Sequence, residues 1–68
     1  MTIHERLVEL RKEHGLSIRE LAAEIGIPHS NYARVERHQM PSMKLLFLLE
    51  CFYGIRLEKL LKDVKGYS

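Results

Sequence analysis

One cysteine, Cys51, stands in a chain of 68 residues, so no internal disulfide can form. That usage fits a reducing compartment better than an oxidising one. Tryptophan is absent, proline occurs only at Pro28 and Pro41, and there are four glycines, so the chain is not low-complexity or disordered. No apolar run reaches the roughly 18 residues that a bilayer span needs. The first residues carry charges at Glu5, Arg6, Glu9 and Arg11, which excludes the apolar stretch of a signal peptide. His4, His14, His29 and His38 lack metal-ligand spacing, and a lone cysteine cannot complete a zinc site. No spacing suggests a Ser-His-Asp or Cys-His arrangement, and no Gly-rich loop is present to cradle a nucleotide. Neither an enzyme nor a bound cofactor or metal is expected. What remains is one small cytoplasmic domain over residues 1–68, which buries only about 60% of the surface its unfolded form exposes.

Hydrophobic periodicity is plentiful, and it is helical throughout. Ile3, Leu7 and Leu10 fall at i, i+4 and i+7, one stripe of a helix from about Thr2 to His14 that Gly15 ends. Ser17-Ile18-Arg19-Glu20 spells a capping box, with Leu16 and Leu21 placed as the matching hydrophobic staple. Leu21, Ala22 and Ile25 then point inward, and Gly26 closes this second helix after about two turns. Pro28 is suited to the first position of a third helix, whose buried stripe is Tyr32 and Val35. A fourth helix runs from Ser42 to Tyr53 and ends at Gly54. Leu57, Leu60, Leu61 and Val64 make a fifth, stopped by Gly66. No strand-like alternation and no internal repeat occurs. The expectation is an all-α, five-helix bundle.

Charge is concentrated in one place. The window from Ile27 to Lys44 holds Arg34, Arg37 and Lys44 against Glu36, which accounts for the whole net charge of +2. His29 and His38 lie in the same window. Local positive charge of this kind suits a phosphate backbone, although a solvated basic loop would look the same.

A short capped helix, a tight turn centred on Gly26 and a second short helix have the sequence form of a helix-turn-helix. Arg11, Gly15-Leu16-Ser17, Glu20-Leu21-Ala22, Ile25-Gly26-Ile27, Val35-Glu36, Pro41-Ser42 and Gly54-Ile55 resemble the Cro and phage-repressor type helix-turn-helix family. The resemblance runs from about Ile3 to Leu61. It implies a lambda-repressor-like DNA-binding domain whose third helix enters the major groove of double-stranded DNA. It also implies an ion pair between Arg11 and Glu36 that sets the angle of that helix. The family commonly has Gln where Ile18 stands, and a longer loop than Arg37-His38-Gln39-Met40 before the proline. A residue of this tighter loop is expected to take a positive φ. Arg56 replaces the usual Ser or Thr cap of the fifth helix, which is expected to fray.

Winding residues 28 to 37 at about 100° each puts Tyr32 and Val35 on one side and Ser30, Ala33, Arg34 and Arg37 on the other, with His29 at the flank. His29, Ser30, Ala33 and Arg34 are therefore the candidate base contacts. The candidate phosphate contacts are Ser17, Arg19, Arg37, His38 and Lys44. On the fourth helix Leu46, Leu49 and Tyr53 form the core stripe with Leu45 at its edge, which leaves Phe47, Leu48 and Cys51 facing away. An uncovered apolar face in so small a chain points to a homodimer contact there. The function read from these features is a DNA-binding transcriptional repressor acting as a dimer on a two-fold operator. The alternative is a protein-interaction module or antitoxin component that keeps the same fold.

Overall fold

The computed structural model describes residues 1–65, and the expected stop at Gly66 lies outside them. Five helices follow in order: α1 (Ile3–Glu13), α2 (Ile18–Ile25), α3 (His29–Arg37), α4 (Met43–Tyr53) and α5 (Leu57–Leu60). No strand occurs among the described residues.

Local chemistry sets most of these boundaries. Ser17 accepts from the Glu20 N–H at 3.1 Å, and Glu20 Oε1 accepts from the Ser17 N–H at 2.8 Å, closing the capping box of α2. Thr2 and Glu5 do the same for α1, at 3.1 and 2.8 Å. That second box was available in the spelling Thr2-Ile3-His4-Glu5. α1 ends in a two-bond closure, Leu16 N–H to Arg11 O and Gly15 N–H to Lys12 O, which requires the positive φ of 67° at Gly15. α2 ends at Gly26, φ 78°, with the Gly26 and Ile27 N–H groups both reaching Ala22 O.

Three expectations are corrected. Pro28 is the N-cap of α3, with ψ 137°, rather than its first helical residue. No residue between α3 and α4 takes a positive φ. The His38 and Gln39 N–H groups both donate to Arg34 O, each at 2.9 Å, and this sharing turns the chain without a left-handed residue. The fifth helix stops at Leu60 instead of continuing through Val64. Asp63 takes φ 62°, and the chain folds back so that the Met1 ammonium donates to Asp63 O and the Lys65 N–H to Met1 O. No side chain caps α5 at Arg56.

All five helices contribute to one core: Ile3, Leu7 and Leu10 of α1, Leu21 and Ala22 of α2, Tyr32 and Val35 of α3, Leu45, Leu46, Leu49 and Tyr53 of α4, and Leu60 of α5. Leu7, Leu21, Tyr32, Leu46, Leu49 and Leu60 are fully buried. Ile18 packs half-buried against this core, where a Gln would have no apolar contact to gain.

Candidate nucleic-acid interface

α3 is anchored from beneath by charge as well as by packing. Arg11 grips Glu36 with two prongs, Nε to Oε2 at 2.7 Å and Nη2 to Oε1 at 3.0 Å. Its remaining Nη1 donates to Leu16 O at 2.8 Å, so one guanidinium ties α1, the α1–α2 connection and α3 together. Only 12% of the Arg11 side chain and 4% of Glu36 is exposed. The hydrogen bonds to Glu36 raise the Arg11 pKa further. His4 Nδ1 meets Val35 O at 2.8 Å, a second clasp from α1 on the last turn of α3. Burial first, and the adjacent Glu36 carboxylate second, push the phenol of the enclosed Tyr32 far up.

Held this way, α3 turns Tyr32, Val35 and Glu36 inward and leaves His29, Ser30, Asn31, Arg34 and Arg37 exposed. Ala33 is half-buried at the edge of that face. The exposed residues of α3 include no acid. Arg34 Nη2 donates to Oδ1 of Asn31, one turn earlier. Between α3 and α4 lies an open groove of about 360 Å³, bordered by Asn31, Arg34, Met40, Lys44 and Leu48 among others. Lys44 and Arg34 thus border the same groove, and His38 is exposed at the helix end.

At the start of α2, Ser17 and Arg19 are exposed. The Ser17 oxygen is engaged by the Glu20 N–H, which leaves its O–H to donate outward. The Glu20 carboxylate shares this end of the helix, and the Ser17 backbone N–H holds its pKa below the ordinary value. Any anion bound at α2 would meet that negative charge.

A helix-turn-helix family model matches residues 7–60 of the chain, from α1 through the end of α5. The chain belongs to the Cro and phage-repressor type helix-turn-helix family. It is 39% identical over 71 aligned positions to the HTH-type transcriptional regulator DdrOP3 of Deinococcus deserti. That alignment covers 100% of this chain and 54% of the relative, so the chain spans about half the length of the curated protein it matches. Among the described residues no helix is long and apolar enough to cross a membrane.

Within this helix-turn-helix, the apolar residues of α4 divide. Phe47, 61% exposed, and Cys51 face solvent, joined by Met43 at 68% and by Met40 of the preceding loop at 59%. Leu48 is half-buried and lines the groove beside Ile27, Pro28 and Val35, so it is shared between this strip and the recognition side. Asn31, Met40 and Met43 escaped the sequence reading. Asn31 sits at the flank of the wound α3 face, where periodicity alone assigns no role, whereas Met43 is one turn before Phe47 and extends its stripe.

Proposed function

We propose that the chain is a DNA-binding regulator of transcription, a small repressor acting in the cytoplasm that docks as a homodimer on a two-fold operator with α3 in the major groove. The observation that carries the reading is the α3 face itself: Ser30, Arg34 and Arg37 exposed together, without an acid, on a helix clamped from behind by Arg11. In this mode the N-terminal half of the recognition helix meets base edges and α2 crosses the phosphates. His29, Ser30, Ala33 and Arg34 would face bases. Ser17, Arg19, Arg37, His38 and Lys44 would meet the backbone. The Arg11–Glu36 pair would set the angle at which α3 enters the groove. Phe47, Leu48 and Cys51 would touch a second copy, setting two recognition helices about 34 Å apart, one turn of DNA.

The test is a gel shift against random and genomic duplexes over a salt series. Binding should weaken linearly in log–log form with rising salt, because each neutralised phosphate releases condensed counterions. Arg34→Ala should cost about 1–3 kcal/mol on a selected site, with much less change on non-specific DNA. Arg37→Ala should make the salt slope shallower while leaving sequence preference in place. No retention of any duplex at low salt overturns the reading.

A further inference from the structure

We infer that Asn31 is a positioning residue that commits the α3 face to reading guanine, an inference that rests on the major-groove reading above. Asn31 and Arg34 are one turn apart, exposed, and border the same groove. Arg34 Nη2 donates to Oδ1 of Asn31, so the guanidinium is tethered before any partner arrives.

The chemistry of that tether restricts what the pair recognises. A guanidinium carries five N–H donors and no acceptor, and spending one on Asn31 still leaves a two-pronged fork. A free asparagine reads adenine by donating to N7 and accepting from the N6 amino group. Here the Asn31 carbonyl oxygen is already held by a charged donor, and such bonds are stronger than neutral ones. An adenine amino group brought to that oxygen would also meet the Arg34 cation. What the pair presents outward is the Arg34 fork and the Asn31 Nδ2 amide, all donors. In the major groove guanine offers the complementary edge, with acceptors at both O6 and N7. Adenine and cytosine each place an amino donor there. Holding the long Arg34 side chain beforehand also lowers the conformational freedom lost on binding.

The experiment selects duplexes from a pool randomised over one half-site, using the parent, Arg34→Ala, Asn31→Ala and Asn31→Asp. Dissociation constants then follow by fluorescence anisotropy on the selected duplex and on copies with single G·C pairs replaced by A·T. The parent should enrich guanine at one position, and Arg34→Ala should erase that preference. Asn31→Ala should reduce the guanine-over-adenine ratio about threefold to tenfold, the scale of one freed side chain, with little change on non-specific DNA. Asn31→Asp keeps the acceptor for Arg34 and should restore the ratio, while weakening binding to every duplex through its charge. A parent that selects guanine with a ratio indifferent to Asn31→Ala overturns the inference and leaves the DNA reading standing. So does a parent that selects adenine and loses that choice in Asn31→Ala. A parent that retains no duplex overturns both.

Discussion

A carboxylate as enclosed as Glu36 is tolerable only because both its oxygens are met by one guanidinium. Removing one partner of a buried pair strands the other charge, so Glu36→Gln should cost about 3–5 kcal/mol. Urea denaturation measures this, and an unchanged midpoint would show the pair to be energetically idle. The neighbouring Tyr53 behaves differently. Its hydroxyl is buried without a hydrogen-bond partner among the described residues, while its ring lies 4.5 Å from that of His14. Tyr53→Phe keeps the ring and discards an unsatisfied group, so the melting temperature at neutral pH should hold or rise. Burial and then the Glu36 charge push the Tyr53 phenol up to about 12. Because the folded value is raised, the contribution is complete below the ordinary phenol value of about 10 and is lost as pH rises through the folded one. Tyr53→Phe should therefore lose stability less steeply in alkali than the parent.

Carboxylates help close two of the five helix starts, those of α1 and α2. Glu5 and Glu20 each accept from the backbone N–H of the cap residue three positions earlier, and that hydrogen bond lowers both pKa values. A lowered folded pKa means stability that is present above the ordinary carboxylate value, about 4.3, and lost as pH falls through the folded one. The double variant Glu5→Gln/Glu20→Gln, whose amide oxygens can still accept, should flatten the acid limb of a thermal-stability profile. An unaltered limb would mean that other carboxylates govern acid unfolding. α5 shows the opposite economy. With four residues and an uncapped start, it is held by Arg6 of α1, whose Nε and Nη2 donate to Leu60 O and Lys59 O at 2.8 Å. Arg6→Gln should remove most hydrogen-exchange protection from the Leu60 and Leu61 amides and leave that of α2 intact. Arg6 was legible after a fashion: it occupies the i+3 position of the Ile3, Leu7, Leu10 stripe, where a charge needs a buried reason. The identity of its partners was not, because they lie more than fifty residues away.

At the scale of the molecule, α4 presents the one feature that a lone copy leaves unexplained. Met40, Met43 and Phe47 are the large apolar side chains more than half exposed among the described residues, Met40 just before α4 and Met43 and Phe47 one turn apart on it. If this strip joins two copies, Phe47→Glu and Leu48→Glu should each convert a dimer into a monomer in sedimentation at micromolar concentration. Since Leu48 also borders the α3–α4 groove, Phe47→Glu is the cleaner probe. A parent that is monomeric without DNA, or a Phe47→Glu protein that stays dimeric, places the interface elsewhere.

The five helices, their order and nearly all their limits are written locally, in caps, glycines and apolar spacing that act over three to seven residues. For the same reason the inward residues of α3 and α4 could be read by winding each helix alone. Arg11 and Glu36 were paired through a family resemblance, since nothing in their own spacing of twenty-five residues brings them together. Tertiary structure alone decided the rest. α5 ends at Leu60, and beyond it the chain folds back so that Asp63 O and the Lys65 N–H meet Met1, a contact between the two ends of the chain that local spacing does not encode. Pro28 caps α3 with an extended ψ of 137°, a one-residue shift that its sequence position alone did not distinguish from the first helical turn. The groove that Asn31 and Arg34 border is completed by Met40, Lys44 and Leu48, which only the tertiary structure brings beside α3. The Asn31–Arg34 bond itself is local, because side chains three apart on a helix are neighbours, whereas the groove joins residues that no helical spacing relates.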